Sequence, residues 1–321
     1  MATYRYNDVL AASCLDCSFP GLSATATPRE GGISPCASLY FPGCSFVNYA
    51  LDLVDESYRV LREAGRVDGI SLLCCGKILE YDKTADAAEF EGTLAKRLAA
   101  CGVKRIVTAC PNCVQTLRWL LAASAETAHI DVVPLVCELV DLGLCIEPGQ
   151  VSRVFEQDEA LRTARQGESA FPAHGVQPPL LAVHDSCPDR ATGEFADGLR
   201  AIMPASCMVE PAHTRKRSFC CGSRPNAVGK HDAAARMAAQ HAREAREVSA
   251  DGMVTACMSC AYLLTHNQKA LPEDQRRPVF HYLEFLFGHR IDWYDADKQP
   301  KLRFLLGEVP SARRFMDIDG V

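Results

Sequence analysis

The sequence predicts an α/β protein made of two tandem copies of one unit, each with a largely parallel sheet. Three observations carry this expectation. Cysteines recur in the same order in the two halves, the residues around them recur as well, and short apolar runs alternate with helical patterns in both halves.

The cysteine order comes first. Cys44 is followed after 29 residues by the adjacent pair Cys74-Cys75, and after 34 more by Cys110-Pro-Asn-Cys113. In the second half Cys187 is followed after 32 residues by Cys220-Cys221, and after 35 more by Cys257-Met-Ser-Cys260. Equivalent cysteines are offset by 143, 146 and 147 residues, which marks one duplicated unit. The flanks agree: "IVTACPNC" matches "MVTACMSC", and "VVPLVCELVDL" is echoed by "PVFHYLEFLF", with Glu138 opposite Glu284.

Taken along the chain, residues 1–37 form an N-terminal extension and residues 38–146 the first unit. In that unit Leu51, Val54, Tyr58 and Leu61 share one helical face closed by Gly65, and Phe90, Leu94, Leu98 and Cys101 share another closed by Gly102. The runs "ISLL" and "RIVTA" read as strands that lead into cysteines. Residues 147–178 are polar, contain Pro and Gly and have no repeat partners, as expected of a linker. The second unit, 179–290, has strands at "LLAV" and "GMVTA" and a helix through Ala234, Met237, Ala238, Ala245 and Val248 that ends at Gly252. Residues 291–321 form a C-terminal tail. Parallel sheets of this kind place ligands beyond the carboxyl ends of their strands, where the cysteines lie. A pseudo-two-fold relation between the copies is expected.

Composition narrows the function. A formal charge of -6 and a pI near 5.9 argue against a nucleic-acid partner. The N-terminal "MATYRYNDVLAAS" lacks the basic and long apolar parts of a signal peptide, and no apolar stretch reaches the ~18 residues of a membrane helix. A cytoplasmic protein with no transmembrane segment is expected. Seventeen cysteines in such a chain read as metal ligands or redox groups rather than disulfide staples.

Each unit offers five cysteines in a fixed pattern. Zinc takes four ligands, as does an ordinary cubane iron–sulfur cluster. A fifth sulfur, next to the fourth in an adjacent pair, suits a larger or irregular cluster. The helical patterns after Cys113 and Cys260 add helix N-termini, which favour thiolates and anionic clusters. Cys101, Cys137, Cys145 and Cys207 have no repeat partners and read as packing residues.

The pattern "FPGC…LCCGK…TACPNC" and its copy "HDSC…FCCGS…TACMSC" resembles the duplicated cysteine-rich CCG domain of heterodisulfide reductase, where it makes up one subunit of the complex. The same domain occurs in iron–sulfur subunits of glycolate, lactate and anaerobic glycerol-3-phosphate dehydrogenases. The resemblance covers about residues 38 to 290 and implies two Rossmann-like CCG domains, each with a non-cubane 4Fe–4S cluster. By that resemblance Cys44, Cys74, Cys75, Cys110 and Cys113 hold one cluster, and Cys187, Cys220, Cys221, Cys257 and Cys260 the other. It implies an oxidoreductase that reduces a small disulfide or thiol substrate, partnered by a ferredoxin-like iron–sulfur subunit and a flavoprotein. Two alternatives are an electron-transfer subunit of a flavin-dependent 2-hydroxy-acid or glycerol-3-phosphate dehydrogenase, and a zinc-binding scaffold without redox activity. The ferredoxin module with repeated C-x2-C-x2-C-x3-C-P runs, usual in the dehydrogenase subunits, is not in this sequence.

Three further residues are candidates for the chemistry. Lys77 and Arg224 follow the two CCG triplets, where a cation would offset cluster charge or grip an acidic substrate. His184, just before Asp185 and Cys187, offers a ring that moves protons during thiol release, or one hydrogen-bonded for packing. Phe41 holds the equivalent place in the first unit. Glu138 and Glu284 read as helix caps or contacts between units. Cys14, Cys17 and Cys36 make three-quarters of a zinc ribbon, with Leu39 where the fourth cysteine would stand, so a structural or unligated role is expected for them.

Overall fold

The structure, a computed structural model, describes residues 3–8, 13–18, 23–28, 36–71, 74–77, 87–166 and 178–293. It divides into two compact units, with one running up to Leu135 and the other from Val136 to Asp295.

In the first unit, β1 (Thr3–Asp8), β2 (Ser13–Ser18) and β3 (Ser23–Pro28) form an antiparallel meander. Then come β4 (Ser38–Phe41), α1 (Cys44–Tyr49), α2 (Leu51–Glu63), β5 (Gly69–Ile70), α3 (Ala87–Ala100), β6 (Arg105–Thr108), α4 (Pro111–Ala122) and β7 (Asp131–Pro134). The strands β5-β4-β6-β7 form an all-parallel core, and β1 adds the meander at the free side of β5. β4 and β6 are buried almost throughout, as strands covered on both faces must be, which explains their continuous apolar sequence. α2 buries Leu53, Val54, Tyr58 and Leu61. Leu94 and Leu98 of α3 are buried, as is Cys101 just beyond it, and Phe90 is half-buried.

The second unit begins in α5 (Leu135–Asp141), where Cys137 Sγ lies 3.7 Å from the Glu194 carbonyl oxygen. It continues with α6 (Pro148–Gln166), β8 (Leu181–His184), α7 (Glu194–Ile202), β9 (Met208–Val209), α8 (Ser223–Ala227), α9 (His231–Glu247), β10 (Gly252–Thr255), α10 (Met258–Asn267), β11 (Val279–His281) and α11 (Tyr282–Phe287). Its all-parallel sheet runs β9-β8-β10-β11, the strand order of the first unit's core. The duplication read from the cysteines is therefore a duplication of topology: in each copy the second strand lies on one side of the first, and the third and fourth on the other. No helix among the described residues is long and apolar enough to cross a membrane.

Several expectations need correction. The segment 147–178 is not an open linker: α6 spans much of it and buries Val151, Val154 and Phe155 in the second unit. Buried Asp158 and Arg162 complete that face, because the Asp158 carboxylate accepts from Arg162 at 2.7 Å and from Arg290 at 2.8 Å. The unit boundary falls at 135/136 rather than at 146. The α9 helix ends at Glu247, the turn passes through Ser249 with φ 56°, and Gly252 opens β10 instead of closing the helix. Ile291 and Trp293, assigned to a tail, are buried in the second unit. Cys145 is exposed rather than packed. Residues 294–321 lie outside the described residues.

Candidate functional site

In each unit the cysteines gather at the carboxyl ends of the first three parallel strands, where the direction of strand addition reverses. That reversal is the place where open α/β sheets form a crevice. Cys44 opens α1 beyond β4, Cys74 and Cys75 follow β5, and Cys110 caps α4 beyond β6. In the second unit Cys187 opens a short 3-10 turn beyond β8, Cys220 and Cys221 lie beyond β9, and Cys257 caps α10 beyond β10. Pro111 at the first position of α4 starts that helix immediately after its cysteine.

Within each set neighbouring thiols influence one another electrostatically, and the sequence of neighbours has the same order twice. It runs Cys44–Cys74–Cys75–Cys113–Cys110 in the first unit, with 3.5 Å between the sulfurs of Cys74 and Cys44. It runs Cys187–Cys220–Cys221–Cys260–Cys257 in the second. Backbone details repeat as well. The Gly76 amide donates to Cys74 Sγ at 3.4 Å, and the Gly222 amide to Cys220 Sγ at 3.4 Å. The Cys110 amide donates to Thr108 Oγ1, and the Cys257 amide to Thr255 Oγ1.

The CCG glycines are required by space and by conformation. Gly76 has φ 89° and a Cβ there would sit 2.5 Å from the Phe90 ring; Gly222 has φ 104° and would meet the Ala234 backbone at 3.0 Å. The alanine stripe of α9, Ala234, Ala238, Ala242 and Ala245, is fully buried and lets that helix come this close.

Electrostatics follow from burial and mutual contact. The Cys113 thiol first, then that of Cys74, pulls the Cys75 thiol well below the ordinary range. Cys187, then Cys221, does the same to Cys220. Donation to the Cys44 sulfur first, then the neighbouring Cys75 and burial, pushes Cys74 well up; Cys260 is raised chiefly by Cys221. Five clustered sulfurs, most of them buried, cannot all ionise beside one another without a compensating positive charge. The donor set, five soft sulfurs per unit at strand ends and helix starts, fits a polynuclear iron–sulfur group, whose irons supply that charge. Among the described residues no His, Cys, Asp and Glu group of three or more is arranged to hold a single metal ion.

The remaining candidates are placed as follows. The main-chain amide of Lys77 reaches Cys75 and that of Arg224 reaches Cys220, a contribution that sequence reasoning assigned to their side chains. Lys77 Nζ points to Gln115 Oε1 at 3.4 Å, and the Arg224 side chain is exposed. His184 is buried and stands at the last position of β8, opposite Thr255, as Phe41 stands opposite Thr108. Neither His184 nitrogen has a hydrogen-bond partner among the described residues, so it is not the bonded packing histidine that was one expectation. Burial pushes it down to about 4. Its ring meets His241 edge-on at 4.4 Å, and His241 stacks on Phe219 at 3.8 Å. Asp185 is held by the Arg200 fork at 2.9 Å on both oxygens and by the Arg215 amide at 2.7 Å. The His241–Phe219 stack had no counterpart in the repeat, and so nothing in the pattern pointed to it.

Glu284 is a helix cap: its carboxylate accepts from the His281 amide at 2.6 Å while His281 Nδ1 accepts from Leu283. Glu138 is fully buried in α5. Cys36 is a buried thiol that donates to the Ser38 carbonyl, pushed up to about 12 by burial first and by Asp68 next, which suits an unligated role. Cys14 and Cys17 lie in β2; their side chains lie outside the described residues.

Comparison with known proteins gives three results. No curated protein matches the chain. Two solved structures are similar: one described as an Asp/Glu racemase from Yersinia pestis (12% identity, 84% of this chain and 99% of that one, TM-score 0.27), the other an aspartate racemase homologue from Pyrococcus horikoshii OT3 (10%, 85% and 98%, TM-score 0.26). At these TM-scores neither likeness bears on the fold or the chemistry. The model of the CCG cysteine-rich domain matches residues 38–118 and again 181–265, the segments that carry the two cysteine sets. Proteins with this domain are typically iron–sulfur components of larger redox complexes. Two matches covering half of the chain, each over its own parallel sheet and its own five cysteines, make this chain a member of the CCG cysteine-rich domain family that carries the domain twice.

Proposed function

We propose that the chain is an iron–sulfur oxidoreductase subunit resembling the CCG-domain component of heterodisulfide reductase, with one non-cubane 4Fe–4S cluster in each unit. The ligands are Cys44, Cys74, Cys75, Cys110 and Cys113 in the first and Cys187, Cys220, Cys221, Cys257 and Cys260 in the second. The observation that supports this best is the placement of five cysteines at the ends of the same three strands in both units, with the same glycine amide on the first sulfur of each adjacent pair. Bound clusters would supply one-electron redox chemistry. Cleaving a disulfide takes two electrons and two protons and releases two thiols, so two one-electron centres match its stoichiometry.

The residues of this chain do the rest. The Gly76 and Gly222 amides, with those of Lys77 and Arg224, hold negative charge on the sulfurs without moving. The helix starts at Cys110 and Cys257 add favourable potential. Arg224, exposed and close in the chain to Cys221, would meet an acidic end of a substrate. Electrons come from a ferredoxin-like iron–sulfur subunit that is itself served by a flavoprotein.

The electron-relay reading, as in the hydroxy-acid and glycerol-3-phosphate dehydrogenases, is favoured for the first centre alone, because Cys74, Cys75, Cys110 and Cys113 are all buried. The two readings separate in one assay. The anaerobic protein is supplied with reduced viologen and a small disulfide. The proposal expects two viologens oxidised per disulfide and two thiols formed. A chain that accepts electrons and passes none to any disulfide would be a relay.

A further inference from the structure

His184 is the feature of the second unit that the ten cysteines leave unexplained. Phe41, its counterpart in the first unit, fills the same strand position with an apolar ring. A buried imidazole with neither nitrogen paired is rare, because burial removes the water that would otherwise satisfy both. The ring is not free to turn toward other partners. Its backbone is fixed by strand pairing to Thr255. The next residue, Asp185, is clamped by Arg200 and Arg215. The ring stands at right angles to the His241 ring, 4.4 Å between centroids, and His241 Nε2 lies 3.3 Å from the Cys220 carbonyl oxygen. Cys220 also interacts electrostatically with the His184 ring. A group held at Cys220 is therefore the partner to consider for the unpaired nitrogens.

We propose that His184 is a further donor to the inorganic group of the second centre, giving its ring N–H to a sulfur there, and that this makes the second centre easier to reduce than the first. The inference rests on the iron–sulfur reading above. A neutral imidazole carries one N–H, and an N–H directed at cluster sulfur stabilises the more negative reduced state, which raises the potential. Phe41 has no donor to offer the first centre. Electrons reaching either centre then settle on the second, the one whose Cys187 and Cys220 are half-buried rather than closed off.

The test uses the full chain, prepared anaerobically, with iron and acid-labile sulfide measured before each redox titration followed by electron paramagnetic resonance. In His184→Phe, one of the two midpoint potentials falls and the other stays. In His184→Gln, whose amide keeps an N–H, that midpoint recovers most of the way. Phe41→His moves the other midpoint upward. With iron content unchanged, a His184→Phe protein in which neither midpoint moves, or both move equally, overturns the proposal. If His184→Phe loses the iron of one centre, His184→Gln decides: full iron with a midpoint near the original supports the hydrogen bond, and loss of iron there too overturns it in favour of packing. A wild-type chain without iron removes the cluster reading, and this proposal with it, before any variant is made.

Discussion

The two units share a strand order and a set of five cysteines, yet they treat the sulfurs differently. In the first unit four of the five are buried, and Phe41 closes the end of β4. In the second unit Cys187 and Cys220 are half-buried, and His184 and His241 meet edge to face, with His241 Nε2 3.3 Å from the Cys220 carbonyl oxygen. What the copies keep is the apparatus that gathers sulfur: the CCG glycine amide, the threonine two residues before each capping cysteine, and the helix start. What they change is the last residue of the first parallel strand, Phe41 in one unit and His184 in the other. One set is the more buried and ends its first strand in an apolar ring, the other is the less buried and ends it in an imidazole, so duplication has produced a pair rather than a repeat.

The same contrast extends to stability, and four experiments can break it. The largest effect is expected at Arg290, whose guanidinium joins Asp158 at 2.8 Å and Glu284 at 2.7 Å deep in the second unit. Arg290→Met leaves the buried Glu284 carboxylate without a cation and Asp158 with Arg162 alone, and should cost about 3–5 kcal/mol. The loss should fall on the second unit alone. The two tryptophans make this measurable, since Trp119 lies in the first unit and Trp293 in the second, and urea unfolding of W119F and W293F proteins follows each separately. Equal losses at both reporters would show one cooperative body instead of two. The converse is Leu117→Ala. Leu117 is fully buried in α4, one turn beyond Cys113, and the cavity should cost the first unit about 2–4 kcal/mol at the Trp119 reporter.

Acid should also act unequally. Burial holds His281, in the second unit, down to about 3. The unfolded chain binds that proton near pH 6.5 and the folded chain only near pH 3, so its contribution is full above about 6.5 and is lost as pH falls, by about 1.4 kcal/mol per pH unit. Glu284, raised chiefly by burial, works in the opposite direction above the ordinary carboxylate range. His281→Asn keeps a capping side chain and should flatten the acid slope at Trp293, as urea midpoints at several pH values would show. An unchanged slope would mean that other groups set it. The smallest effects belong to Thr108→Val and Thr255→Val, each removing one acceptor for a cysteine amide and costing about 1 kcal/mol in its own unit.

Much of this was legible in the sequence, and the reasons are physical. The cysteines recur with offsets of 143 to 147 because they follow the same three strands in both copies, and "RIVTA" and "GMVTA" are apolar because β6 and β10 are buried on both faces. What was not legible lies where polar residues occupy buried positions. The face of α6 continues from Val151, Val154 and Phe155 into Asp158 and Arg162, which are buried only because Arg290 and each other satisfy them, and so the helix read as a linker. Backbone donors were missed for a different reason. Any residue can present an amide, and nothing in the letters Lys77 or Arg224 tells that the N–H is what reaches the sulfur. The unpaired state of His184 depends on the walls around it, which no local pattern encodes.

The measurement closest to the central claim is the metal and sulfide content of the full chain purified without oxygen. Two complete five-cysteine sets predict ~8 irons per chain with an equal amount of acid-labile sulfide. Cys75→Ser and Cys221→Ser should each remove about half of both and leave the other unit filled. Stoichiometric zinc with negligible iron and sulfide would contradict the account, and a loss of all iron from either single substitution would contradict its division into two centres.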